Sequence, residues 1–68
     1  MTTIKINTAF ITLVQFLKWC GVADNGGMAN QLVRNGDVQV NGEICQMRGK
    51  KLRAGDIVQV LNQTFQVE

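Results

Sequence analysis

The sequence predicts an α+β fold in which two short helices pack on a small, mainly antiparallel sheet. Three observations carry that expectation. Apolar residues recur at helical spacing between Leu13 and Val33. From Val38 onward they alternate with polar residues, the two-residue period of a strand. Asn41-Gly42, Ala54-Gly55-Asp56 and Asn62-Gln63 then divide this second half into short segments that fold back on one another.

Taken in order, Thr3 to Asn7 alternates Ile4 and Ile6 with Lys5 and reads as a short strand. Thr12 is a good helix N-cap, and Gln15 can complete a capping box with it. Ile11 before the cap and Phe16 after it are placed as a hydrophobic staple. Leu13, Phe16, Leu17 and Cys20 follow at i, i+3, i+4 and i+7 and form one apolar face. Gly21 ends this helix, Lys18 lies opposite its apolar face, and Trp19 lies on the flank. Asp24 and Asn25 can cap a second helix, preceded or opened by Gly26-Gly27. Met28, Ala29, Leu32 and Val33 share one side of it, and Asn30, Gln31 and Arg34 share the other. Gly36 is its stop. Helices this short do not persist alone in water, so they must pack on each other and on the sheet. Val38 and Val40 begin a hairpin that turns at Asn41-Gly42 and returns through Glu43-Ile44-Cys45. Ile57 to Leu61 and Thr64 to Val67 are the last two strands.

Sixty-eight residues allow one domain, residues 1–68, and no repeat, linker or low-complexity run divides it. A chain of this size buries roughly 60% of its unfolded surface, so the core is small. Its composition, 46% hydrophobic and 18% charged, is globular. Histidine is absent, which removes the commonest general base and metal ligand. Cys20 and Cys45 are far apart without a CxxC spacing, so they read as small core residues with reduced thiols. The carboxylates are scattered, and Asp24, Asp37 and Asp56 each adjoin a turn or helix cap. These features predict a protein that is not an enzyme and takes no metal or cofactor. The N-terminus has no signal-peptide pattern, and the most apolar window, Ala9 to Leu17, is far too short to span a bilayer. A soluble, cytoplasmic protein is expected.

The candidate for function is Arg48-Gly49-Lys50-Lys51-Leu52-Arg53, read as a loop between strands. It carries four of the chain's seven positive charges and no acid, whereas the net charge is only +2. Like charges held this close repel, but a polyanion that binds them releases counterions. The competing reading is a solvated loop that happens to be charged. Lys18 and Arg34 on the polar sides of their helices can extend the basic surface, and Gly49 lets the backbone approach a phosphate closely. The residues that would carry binding are therefore Lys18, Arg34, Arg48, Lys50, Lys51 and Arg53. Such contacts position a nucleic acid without reading its sequence. Gly26-Gly27 could offer backbone N–H groups to a phosphate, but no P-loop or dinucleotide pattern surrounds it, and a tight turn between helices is the plainer reading. Trp19 reads first as cover for the edge of the core, with stacking on an unpaired base as the alternative.

With these motifs laid out, the chain resembles the S-four RNA-binding domain, the αL motif named after the fourth protein of the small ribosomal subunit. The resemblance rests on the order helix, Gly, short helix ending in Gly, then Val38-Gln39-Val40-Asn41-Gly42 and Gly55-Asp56-Ile57-Val58. Its core covers residues 11–60, and the small stand-alone bacterial members are the most similar branch. They share an opening like Ile11-Thr12-Leu13 with Gln15-Phe16-Leu17-Lys18, an entry like Gly26-Gly27-Met28-Ala29, and a basic run like Arg48-Gly49-Lys50-Lys51-Leu52. The resemblance implies binding to structured RNA, ribosomal or transfer RNA, through the helical pair and nearby cations, with Lys18, Arg48, Lys50 and Lys51 at matching positions. Asn30 stands where this branch usually has Lys or Arg, and Met47 where a second arginine commonly precedes Arg48. Both departures remove positive charge from the presumed contact surface. The rival reading is a protein-interaction module that docks on a ribosome-associated or RNA-processing partner through a sheet edge or Trp19. A ubiquitin-like sulfur carrier is set aside because the chain ends in Gln66-Val67-Glu68, without a terminal Gly-Gly.

Overall fold

The computed structural model describes residues 1–68. The elements run β1 (Thr2–Ile4), β2 (Ile11–Thr12), α1 (Leu13–Trp19), α2 (Gly26–Arg34), β3 (Val38–Val40), β4 (Glu43–Ile44), β5 (Lys51–Leu52), β6 (Ile57–Val60) and β7 (Gln63–Val67). Five strands form one sheet in the order β1-β7-β6-β3-β4, and β2 with β5 forms a separate antiparallel pair. Every neighbour in the large sheet is antiparallel except β1 with β7. The architecture is the expected one, two helices on a mostly antiparallel sheet. No helix is long and apolar enough to cross a membrane.

Alternation along the strands places the core. Val38, Val40, Val58, Val60, Phe65 and Val67 are buried, whereas Gln39 and Gln59 between them are exposed. Against this face the helices set Leu13, Phe16, Leu17, Ala29 and Val33, and Ala23 and Leu52 complete the cluster. Phe16 meets Phe65 edge to face at 6.2 Å and 82°, a pairing that contributes about 0.5–1.5 kcal/mol beyond its burial.

The helix ends follow local chemistry. Thr12 accepts from the Gln15 N–H (3.4 Å), and the Gln15 side chain accepts from the Thr12 N–H (3.5 Å), closing the capping box. Asn25, not Asp24, caps α2 by accepting from the Met28 N–H at 2.8 Å, and Gly26-Gly27 form the first turn. Both helices end at a glycine with left-handed φ, Gly21 (82°) and Gly36 (79°). The core stripe of α2 is narrower than expected. Ala29 and Val33 are buried and Leu32 is partly buried, but Met28 in the first turn is 41% exposed.

Several strand boundaries differ by a residue or more from the sequence expectation, and β2 is a strand that the sequence does not predict. β1 is Thr2–Ile4 rather than Thr3 to Asn7, because it is set by parallel pairing with Phe65–Val67, a partner at the other end of the chain. Ile6 leaves the ladder, although its N–H still reaches the Glu68 carbonyl (3.3 Å). The β6–β7 turn centres on Leu61-Asn62, one residue before the expected place. Both have positive φ (51° and 62°), as do Asn41 and Gly42 (52° and 86°) in the β3–β4 turn.

Candidate nucleic-acid interface

The basic run is not the loop that the sequence suggested. Lys51–Leu52 is a strand, paired with Ile11–Thr12 in the register Ile11↔Leu52 and Thr12↔Lys51. Leu52 is fully buried, and its flanking cations Lys51 and Arg53 are exposed. The reason lies at the start of α1, where the first N–H groups of a helix have no partner within it. Thr12 caps one of them. The Leu13 N–H donates to the Lys50 carbonyl (2.8 Å) and the Val14 N–H to the Arg48 carbonyl (3.2 Å). The basic segment is thus stitched by its backbone across the N-terminus of α1, while its four cationic side chains stay exposed.

Its two ends are also tied. The Lys50 N–H donates to the Met47 carbonyl (3.0 Å), closing a turn around Gly49. At the other end the Asp56 carboxylate accepts from the Arg53 N–H (2.9 Å) and from the Asn41 Nδ2 (3.1 Å), while Asn41 Oδ1 accepts from the Ile57 N–H (2.9 Å). The Asn41-Gly42 hairpin and the Gly55-Asp56 turn, separate features of the sequence, therefore form one bonded corner that fixes where Arg53 leaves the sheet.

The six cations expected to form the site are all exposed. None donates a side-chain hydrogen bond within the fold; Arg34 and Arg53 take part only through backbone atoms. They fall into distinct settings. Lys18 lines an open groove of about 700 Å³ together with Phe10 and Trp19. The Lys51 Nζ stands 5.0 Å and the Arg53 guanidinium 5.9 Å from the centre of the same Phe10 ring. Arg34 and Arg48 line a notch of about 470 Å³ between α2 and the turn at Gly49. Gln46 closes that notch by donating from Nε2 to the Arg34 carbonyl (2.9 Å). Lys50 stands apart, in a hollow that it shares with Glu43 and Ile44.

Asn30 and Met47, where the resemblance led to the expectation of a cation, both line the Arg34–Arg48 notch. The helical spacing puts Asn30 on the polar side of α2, yet its Oδ1 is buried and has no hydrogen-bond partner. Met47 is 67% exposed.

Sequence reasoning missed Phe10 and misjudged Trp19. Trp19 does not close the core edge: it is 59% exposed, and its Nε1 donates to the Lys5 carbonyl (3.2 Å). The backbone after β1 thus fixes the indole while leaving its surface open. Phe10 gave no sequence signal, because its importance comes from Lys51 and Arg53, far along the chain. Chemically the region offers cations and aromatic surface. The cysteines are unpaired, and burial pushes the Cys20 thiol above its ordinary value, although hydrogen bonds from neighbouring backbone partly oppose this. Cys20 is therefore less ionised than a free thiol and a correspondingly weak nucleophile or metal ligand. No three His, Cys, Asp or Glu side chains are grouped to hold a metal ion.

A capped helical pair on this sheet, with a basic strand anchored across the first helix, is the αL architecture. The chain belongs to the S4 domain family, whose model matches residues 4–68. It is 46% identical over 57 residues to the probable ribosome maturation protein RlbA of Bacillus subtilis (strain 168), covering 84% of this chain and 80% of that one. Among solved structures it is similar to the solution structure of YbcJ from E. coli, described as revealing an αL motif involved in RNA binding. That likeness has a TM-score of 0.75 and 26% identity, and covers 98% of this chain and 86% of the other.

Proposed function

We propose that this chain is a non-catalytic RNA-binding protein of the cytoplasm. It holds structured RNA, ribosomal or transfer RNA, against the helical pair and the Arg48–Arg53 segment. The observation that carries this reading is the anchoring of the basic run. Its backbone is bound into the fold at Arg48, Lys50, Lys51 and Arg53, so its four charges are held on one anchored segment, exposed and without a side-chain hydrogen bond inside the fold. Much of the ordering cost of the segment is met on folding rather than on binding, which favours affinity for a polyanion. A-form RNA presents phosphates and 2′-hydroxyls but hides its bases in a deep major groove, so a small basic face suits recognition by shape. The likeness to RlbA and YbcJ supports the same assignment, the one described by ribosome maturation and the other by RNA binding.

The test is a salt titration of binding to ribosomal RNA fragments and to transfer RNA. Affinity should fall steeply with salt. Replacing both Arg34 and Arg48 with glutamine should weaken binding and reduce the log–log slope by about 0.9 for each duplex phosphate no longer neutralised, and by about 0.7 on single strands. Affinity and slope unchanged in this variant would remove the notch from the interface. Wild-type binding that is indifferent to salt would refute phosphate recognition and favour docking on a protein.

A further inference from the structure

The groove between Phe10 and Trp19 has a character that the phosphate-binding face does not explain. Its walls are largely apolar, Lys18 is the one cation lining it, and Lys51 and Arg53 stand over the ring of Phe10, one of its walls. Five of its nine lining residues are hydrophobic, among them Ile6, Phe10, Ile11 and Trp19, and none is acidic. Phe10 is 39% exposed and Trp19 59% exposed, so two of the chain's four aromatic rings are left open to solvent in a fold with a small core. The volume, about 700 Å³, lies in the range of sites that take small planar ligands. Trp19 is held by its hydrogen bond to Lys5 and is already oriented, so little entropy is lost when something packs on it.

We infer that this groove is a stacking subsite for one unpaired nucleobase of the bound RNA, taken between Phe10 and Trp19 with its flanking phosphates on Lys18, Lys51 and Arg53. The inference rests on the RNA-binding reading and adds to it a preference for RNA with an unstacked base. Charge complementarity selects the occupant. An apolar peptide would satisfy the walls but leave Lys18 in the groove, and Lys51 and Arg53 over Phe10, without an anionic partner. A nucleotide satisfies both at once, because its base has a π-face and its phosphodiesters carry the negative charge. Asn7 and Gln15 also line the groove and add amide groups to its polar part, although the Gln15 Oε1 already accepts from the Thr12 N–H.

The experiment compares two RNAs of equal phosphate number at one ionic strength: a hairpin with an unpaired adenine-rich loop and a blunt, fully paired duplex. Trp19 is the only tryptophan, so its emission reports directly on the groove. The hairpin should bind about tenfold or more tightly than the duplex and quench Trp19 emission, whereas the duplex should leave the emission nearly unchanged. In Phe10→Ala the hairpin-to-duplex ratio should fall towards one. Equal affinity for the two RNAs, with no quenching by the hairpin, would overturn the subsite and leave the RNA-binding reading standing. A Phe10→Ala protein that is folded by circular dichroism and keeps the full preference would overturn it as well. If that variant does not fold, the wild-type affinity ratio and emission decide the matter. Failure to bind either RNA would overturn both readings.

Discussion

Leu52 is the residue on which the anchored basic segment depends, and truncating it tests the arrangement directly. The side chain is fully buried within the 13-residue core cluster, on a strand of only two residues. Shortening a buried leucine to alanine costs about 2–5 kcal/mol, through lost transfer energy and the cavity left behind. For a 68-residue domain the total stability is about 3–10 kcal/mol, at 0.05–0.15 kcal/mol per residue. Leu52→Ala therefore removes a large share of the whole. With a urea m-value of about 1 kcal/mol/M, a loss of 2 kcal/mol moves the midpoint down by about 2 M. The melting temperature should fall by at least about 8 °C. Leu52→Met conserves volume and should cost less than about 1.5 kcal/mol. Urea titration followed by far-UV circular dichroism is the appropriate measure, because Trp19 is already largely exposed and reports poorly on unfolding. A loss below about 1 kcal/mol for Leu52→Ala would mean that Arg48 to Arg53 is a solvated loop after all, and the anchoring of the segment would be refuted.

Three further outcomes are expected. Asp56→Ala leaves the Arg53 N–H and the Asn41 Nδ2 without their acceptor and should destabilise by about 1–2 kcal/mol, with Asp56→Asn milder, as thermal melts of the pair will show. Leu61 has φ 51°, a left-handed conformation that costs a branched side chain about 1 kcal/mol; it is also half exposed, so Leu61→Asn should raise the melting temperature by a few degrees. Burial raises the folded-state Cys20 pKa, so the unfolded thiol ionises first. The stability from this group is therefore complete below the unfolded pKa and is lost as pH rises through the folded one. Iodoacetamide at mildly alkaline pH should accordingly modify Cys20 more slowly in the folded protein than in urea, as mass spectrometry of its peptide will show.

The parts of the fold that are legible in the sequence are those decided over a few residues. The Thr12–Gln15 capping box, the Asn25 cap, the glycine stops and the Asn41-Gly42 turn need only neighbouring atoms to be satisfied, and each lies where its residues suggest. Valine alternation likewise places the inner face of the sheet, because side-chain direction in a strand follows from chain geometry alone. The candidate site is legible only as a composition. The six cations are identifiable by type, but nothing local tells a basic loop from a basic strand.

That difference returns to the Arg48–Arg53 run. Its residues by themselves determined its charge, its freedom from acids and its family resemblance. Tertiary structure decided that Leu52 would be buried and that the Lys50 and Arg48 carbonyls would complete the start of α1. It also decided that Lys51 and Arg53 would stand over Phe10, and that β1 would pair in parallel with β7. These contacts join residues remote in the chain and exist only once loops have closed and the core has formed, so no window of sequence contains the information. Charge is a property of residues, and presentation is a property of the fold.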